Sequence, residues 1–260
     1  MMIGWSGGFT MTVIAVVNRK GGSGKSTLAT HVAGYLASRG LAVMLGDVDR
    51  QQSSRLWLSL RAADRAAISG WTMDERNFAR PPAGTQHVVL DTPGGFQGVG
   101  LMKVALYADA MLMPVSASVF DRAAAADGLA ELRTLPRVAS GKCRVACVGM
   151  RLDSRTQAAE SLRAWAAEQD VPYLGTLRAA QAYCKCLEQG LSLFDFPPGK
   201  VTQYLDDWQP ILAWLEEGLS MEAPAPRIQR PVDQMLASRT AREPSAPDFL
   251  RRELVKDPQG

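Results

Sequence analysis

No run of about 18 apolar residues occurs in this chain of 260 residues, so no transmembrane helix is expected. Histidine is scarce, at two residues, and cysteine is limited to four. Cys143 and Cys147 are separated by three residues, Cys184 and Cys186 by one, and neither gap has the spacing of a zinc knuckle. With only His31 and His87 to assist, this set is not expected to hold a metal, and the thiols read as reduced structural groups of a cytoplasmic protein. A strong excess of one charge is also missing. The balance of 29 basic and 26 acidic residues leaves a net charge of +3, so any surface for nucleic acid must be a local patch. Residues 1–10 lack the basic start and long apolar core of a signal peptide and read as an extension or an upstream start, outside the folded part. The length suits one large α/β domain followed by a tail.

What is present is organised around residues 18–27, Asn-Arg-Lys-Gly-Gly-Ser-Gly-Lys-Ser-Thr. The run before them, residues 12–17, is short and β-branched, as expected of a buried parallel strand. Gly21, Gly22 and Gly24 let the backbone wrap until successive N–H groups from Gly21 through Ser23 to Thr27 point at an anion. Leu28, Val32, Tyr35 and Leu36 then recur at helical spacing, so the loop ends at a helix N-terminus, which also favours phosphate. In such a loop Lys25 meets the β- and γ-phosphates of a nucleotide and the Ser26 hydroxyl ligates Mg²⁺. The usual Walker A pattern has glycine five residues before Gly24; here Arg19 stands there, and a second lysine, Lys20, lies five residues before Lys25.

This Lys-Gly-Gly-Ser-Gly-Lys-Ser segment resembles the deviant Walker A box of the ParA/MinD family of ATPases. The resemblance implies ATP and Mg²⁺ as cofactors, and an ATP-dependent homodimer in which Lys20 reaches the nucleotide held by the partner. It extends to Gly46-Asp47-Val48-Asp49-Arg50-Gln51, similar to the family's second box with Arg50 in the place of a proline. By that similarity Asp49 positions the attacking water and contributes to the metal site, while Asp47 supports the Mg²⁺ and loop network. The two carboxylates are assigned to opposite faces and so to separate jobs. Residues 87–91, an apolar strand ending in Asp91, have the form of a Walker B element whose carboxylate serves the metal. The following Thr92-Pro93-Gly94-Gly95 is expected to sense the γ-phosphate.

Further along, helices are expected over residues 54–65, 118–135, 156–169 and 201–219, the last with a kink or break at Pro210. Strands are expected at 41–45, 68–72, 108–115, 143–150 and 171–174, and a loop over 74–86. The alternation describes an α/β fold: a mostly parallel twisted sheet with helices on both faces, spanning residues 11–221. Met150 ends a strand where relatives carry an asparagine that reads adenine; it reads either as a stacking surface for a purine or, better, as a core methionine. Arg178, Lys185 and Lys200 are the residues best placed for the sequence-independent DNA binding of ParA relatives. Residues 222–260 hold six prolines, seven basic and six acidic side chains with few large apolar groups, too little to offset ordering entropy, and read as a flexible tail or partner-binding arm. Residues 248–255 are too short and too balanced in charge for a stable membrane anchor. The resemblance therefore implies a nucleoid-associated ATPase that segregates or positions a cargo with an adaptor protein stimulating hydrolysis. The alternatives are a positioner of protein assemblies or a MinD-like membrane regulator.

Overall fold

The computed structural model describes residues 11–49, 51–72 and 85–218. Arg50, the extension at 1–10, most of the 74–86 loop and the 222–260 tail lie outside the described residues. Seven strands form one sheet: β1 (Thr12–Val16), β2 (Val43–Asp47), β3 (Ile68–Thr72), β4 (His87–Asp91), β5 (Ala110–Val115), β6 (Arg144–Met150) and β7 (Tyr173–Leu177), in the order β3-β2-β4-β1-β5-β6-β7. Every pairing is parallel. Parallel strands need crossovers, to which α1 (Lys25–Ser38), α2 (Ser53–Leu60), α3 (Gly98–Tyr107), α4 (Val119–Thr134), the single turn α5 (Pro136–Ala139) and α6 (Gln157–Glu168) contribute, while α7 (Gln181–Glu188) and α8 (Pro198–Gly218) follow the last strand.

Because strand side chains alternate, each central strand feeds two cores. Ile14 and Val16 of β1 pack with α1, α7 and α8 through Leu28, Leu36, Tyr183 and Trp208. Val13 and Ala15 face the other way, against α3, α4 and α6 through Val104, Leu129 and Leu162. This is the expected sheet covered on both faces.

Three boundaries differ from the sequence expectation. Helix α2 stops at Leu60 because Arg61 leaves helical geometry (φ −71°, ψ 123°) and turns its guanidinium onto Asp195. Helix α8 starts at Pro198 and continues through Pro210. A proline inside a helix removes one backbone hydrogen bond, and burial of Trp208, Ile211, Leu212 and Leu215 on the same helix offsets that loss. Strand β7 begins at Tyr173, after Val171-Pro172, because its ladder partner is Cys147.

The phosphate-loop helix α1 is anchored by an aromatic cluster. His31 is fully buried, stacks on Trp208 at 5.6 Å and leans on Tyr183 at 5.2 Å, while Trp208 donates its indole N–H to the Tyr183 hydroxyl. Burial drives the His31 pKa down from 6.5 to about 4. The unfolded chain therefore takes up the proton first, and the stability contributed by neutral His31 is full above about pH 6.5 and falls as pH drops toward 4. The loss is expected to be about 3 kcal/mol over that window. Asp91, raised to about 6, acts in the opposite direction, so the measurement is the difference between urea unfolding of wild type and of His31→Phe across pH 4–7.

Candidate active site

The loop between β1 and α1 lies at the C-terminal edge of the sheet, and its shape follows from a few polar contacts. Asn18 donates its side-chain amide to the Pro114 carbonyl at 2.7 Å and accepts the Lys20 N–H at 2.8 Å, which fixes where the loop leaves β1. Gly24 sits at φ +99° as the N-cap of α1 with no side-chain cap, leaving first-turn N–H groups for an anion. A Cβ at Gly24 would also lie 2.6 Å from the Met150 methyl. Lys25 is buried and its ammonium donates to the Lys20 carbonyl at 3.0 Å. Burial lowers its pKa, opposed by the nearby Asp91 and Asp49 carboxylates. The two lysines diverge: Lys20 points out, its side chain 41% exposed, and pairs with Asp121 of α4 at 2.6 Å. Arg19 pairs with Glu131 of the same helix, and Glu131 in turn accepts the Gly98 N–H at the start of α3.

The carboxylates arrive by strand register. Asp47 and Asp91 are cross-strand neighbours at the ends of β2 and β4, and Val16 is the β1 neighbour of Asp91. Asp91 is fully buried, with a pKa raised to about 6 by desolvation, opposed by hydrogen bonds from the Ser54 and Ser26 hydroxyls. One of its oxygens, Oδ1, has no hydrogen-bond partner. An orphan carboxylate oxygen beside the Ser26 hydroxyl is the donor set that a hard cation such as Mg²⁺ takes. Among the described residues no cluster of three or more His, Cys, Asp or Glu forms a separate metal site.

Asp47 and Asp49 sit in different local environments, but not because they point to opposite faces of a strand. Residues two apart on a strand share a face. Here Asp47 ends β2, whereas Asp49 lies beyond the strand in a turn. Asp47 is buried, accepts the Asp49 N–H at 3.0 Å and the Arg55 N–H at 3.1 Å, and so tethers the first turn of α2. Asp49 is half-buried and accepts the Gln51 N–H. Thr92 donates its hydroxyl to the Val16 carbonyl, the Gly95 N–H donates to the Arg19 carbonyl, and a Cβ on Gly94 would come within 3.1 Å of the Gly21 Cα. The segment after Asp91 therefore lies directly on the phosphate loop.

With the loop, two strand-end carboxylates and a cation-ready pair of oxygens in one place, comparison with known proteins is informative. Residues 14–194 match the CobQ/CobB/MinD/ParA nucleotide binding domain. The chain belongs to this family. Among MinD/ParA-family proteins, it is 30% identical over 193 residues to "Maintenance of carboxysome distribution protein A" of Gloeobacter kilaueensis, covering 71% of this chain and 84% of that one. Its fold is similar to that of McdA from Cyanothece in complex with ATP, at a TM-score of 0.63 and 15% identity, covering 84% of this chain and 100% of that one. It is also similar to cobyrinic acid a,c-diamide synthase from Mycobacterium smegmatis with bound ADP and magnesium, at a TM-score of 0.55 and 17% identity, covering 69% and 93% of the two chains.

Within the family frame, the structure groups Lys20, Gly21, Gly22, Ser23, Gly24, Lys25, Ser26, Thr27, Asp47, Asp49 and Asp91 around the loop. Met150 is a core methionine, the preferred expectation, and it also borders a cavity. It is 5% exposed within the core and lines a cavity of about 380 Å³ beside Gly24 and Thr27, with Leu177, Tyr183 and Leu187. The DNA candidates sit on separate elements. Lys185 of α7 and Lys200 of α8 are exposed. Arg178 is not a free cation: it follows β7 and is held bidentately by Asp207 of α8 at 2.6 and 2.8 Å. Sequence reasoning missed Ser54, Asn18, Asp121 and Glu131. Ser54 stands three residues after the Asp49-Arg50-Gln51 segment, a usable signal; Asp121 and Glu131 lie about a hundred residues from the loop, and nothing in their local sequence marks them.

Proposed function

We propose that this chain is an ATP-driven positioning protein in which Mg²⁺–ATP joins two copies face to face. The observation that carries this reading is the divergence of the two loop lysines: Lys25 turns inward toward the carboxylates, while Lys20 stands at the surface on a single ion pair with Asp121. A cation so placed can exchange one anionic partner for another, here the phosphate of a nucleotide bound by the second copy. Gly21 to Thr27 cradle the phosphates, Lys25 neutralises them, and Ser26, Asp49 and Asp91 serve the Mg²⁺. Asp49, half-buried beside the loop, orients the water for slow hydrolysis that an adaptor protein accelerates. Catalysis is positional and electrostatic. Hydrolysis separates the two copies and resets the cycle. The base lies in the cavity beside Met150.

The dimer binds nucleoid DNA without reading sequence, through Lys185 and Lys200, with Arg178 contributing only what Asp207 leaves uncompensated. Its cargo is a protein assembly, a choice supported by the relative named for carboxysome distribution; a plasmid or chromosome is the other cargo class. The test is co-sedimentation with non-specific duplex DNA. Binding is expected with ATP, to weaken steeply between roughly 50 and 200 mM salt, and to disappear in Lys20→Ala. DNA binding indifferent to nucleotide and to Lys20 would sink this reading.

A further inference from the structure

Helix α2 carries a residue whose chemistry the fold alone does not require. Ser54 is fully buried and donates its hydroxyl to Asp91 Oδ2 at 2.6 Å. The next N–H along the chain, that of Arg55, donates to the Asp47 carboxylate at 3.1 Å. The turn between carries Asp49, closed by the Asp49 N–H on Asp47 and the Gln51 N–H on Asp49, and it ends at Gln52 in a left-handed conformation (φ +52°). Asp47 thus ties the start of this turn to the start of α2, and Ser54 ties α2 to Asp91, whose Oδ1 has no hydrogen-bond partner.

We propose that Ser54 is a positioning residue for the metal, holding the Asp91 carboxylate so that Oδ1 faces the cation and linking the metal site to the turn that carries Asp49. The proposal rests on the Mg²⁺–ATP reading above. The physical basis is directional. A carboxylate with no donor on either oxygen can rotate about its Cβ–Cγ bond, and the Ser54 hydroxyl on Oδ2 restrains its plane. Ser54 also occupies Oδ2 with a donor, which leaves Oδ1 as the oxygen a bound cation would use. The orientation of that oxygen would then depend on the position of α2. Asp49 is attached to that helix start through Asp47, so metal occupancy and the placement of Asp49 become coupled. Partners that orient a metal's ligands are typically worth 10–100-fold in metal affinity or activity.

The test uses the full chain and a fluorescent ATP analogue, titrated with Mg²⁺ and, separately, bound in EDTA. In Ser54→Ala the half-saturating Mg²⁺ concentration is expected to rise about tenfold, while analogue binding in EDTA stays within about twofold of wild type, which also shows that the variant is folded. Ser54→Thr, which keeps a hydroxyl on the same carbon, is expected to restore the wild-type Mg²⁺ requirement. An unchanged Mg²⁺ requirement in Ser54→Ala overturns the proposal, as does an equal loss of binding in EDTA, which would make the hydroxyl a purely structural group. If wild type itself binds the analogue no better with Mg²⁺ than in EDTA, the failure lies with the Mg²⁺–ATP reading, and the separate wild-type arm identifies it as such.

Discussion

Lys25→Ala is expected to weaken ATP binding by about 100-fold or more while moving the melting temperature by no more than a few degrees. The affinity term follows from charge-assisted contacts of about 1.5–3 kcal/mol each to two phosphate groups, at 1.4 kcal/mol per tenfold. The stability term follows from two opposing effects. Burial disfavours the Lys25 ammonium, so removing it relieves a desolvation cost, but the change also strips Asp91 and Asp49 of their shared cation and the Lys20 carbonyl of its donor. Calorimetric titration with an ATP analogue, alongside thermal melting of the apo chain, separates the two. A variant that melts as wild type yet retains nucleotide affinity would show that the loop holds phosphate by its backbone alone.

Arg61→Ala is expected to cost about 3–5 kcal/mol of stability, because it leaves Asp195 as a buried charge without its partner. The two side chains are only 5% and 4% exposed and meet at 2.6 Å. Arg61 donates as well to the Ala66 and Gly190 carbonyls, and Asp195 accepts the Ser192 N–H and hydroxyl. The cluster fastens the end of α2 to the turn before α8, where a Cβ on Gly190 would strike the Arg61 backbone at 2.4 Å. A fall in melting temperature of roughly 10 °C corresponds to this loss in a chain of this size. Replacing both partners, Arg61→Leu with Asp195→Asn, is expected to recover part of it, since no uncompensated charge is left. Equal melting of wild type and Arg61→Ala would mean that water reaches Asp195 and the pair is not truly desolvated.

These two residues also mark how far local sequence reaches. Lys25 is legible because everything that defines its job lies within ten residues: a β-branched strand before, glycines around it and an amphipathic helix after. Asp91 is legible for the same reason, as the polar end of the apolar run His87–Asp91. Arg61 reads instead as the continuation of a helix rich in leucine and arginine, because its partner Asp195 is 134 positions away. Arg178 misleads in the same manner, since a basic residue after a strand is an exposed cation until Asp207 is seen against it.

The residues themselves determined the loop, the order of strands and helices, the two-faced sheet and the family, because those follow from local backbone freedom and from hydrophobic periodicity along contiguous chain. Only the tertiary structure decided which carboxylates meet. Parallel register sets Asp47 beside Asp91, and packing of α4 against the loop holds Lys20 on Asp121 and Arg19 on Glu131. Burial of α2 brings Ser54 to Asp91. Each of these contacts joins groups that are distant in sequence and gain their meaning from desolvation and direction, and neither property is carried by a residue until the chain has folded around it.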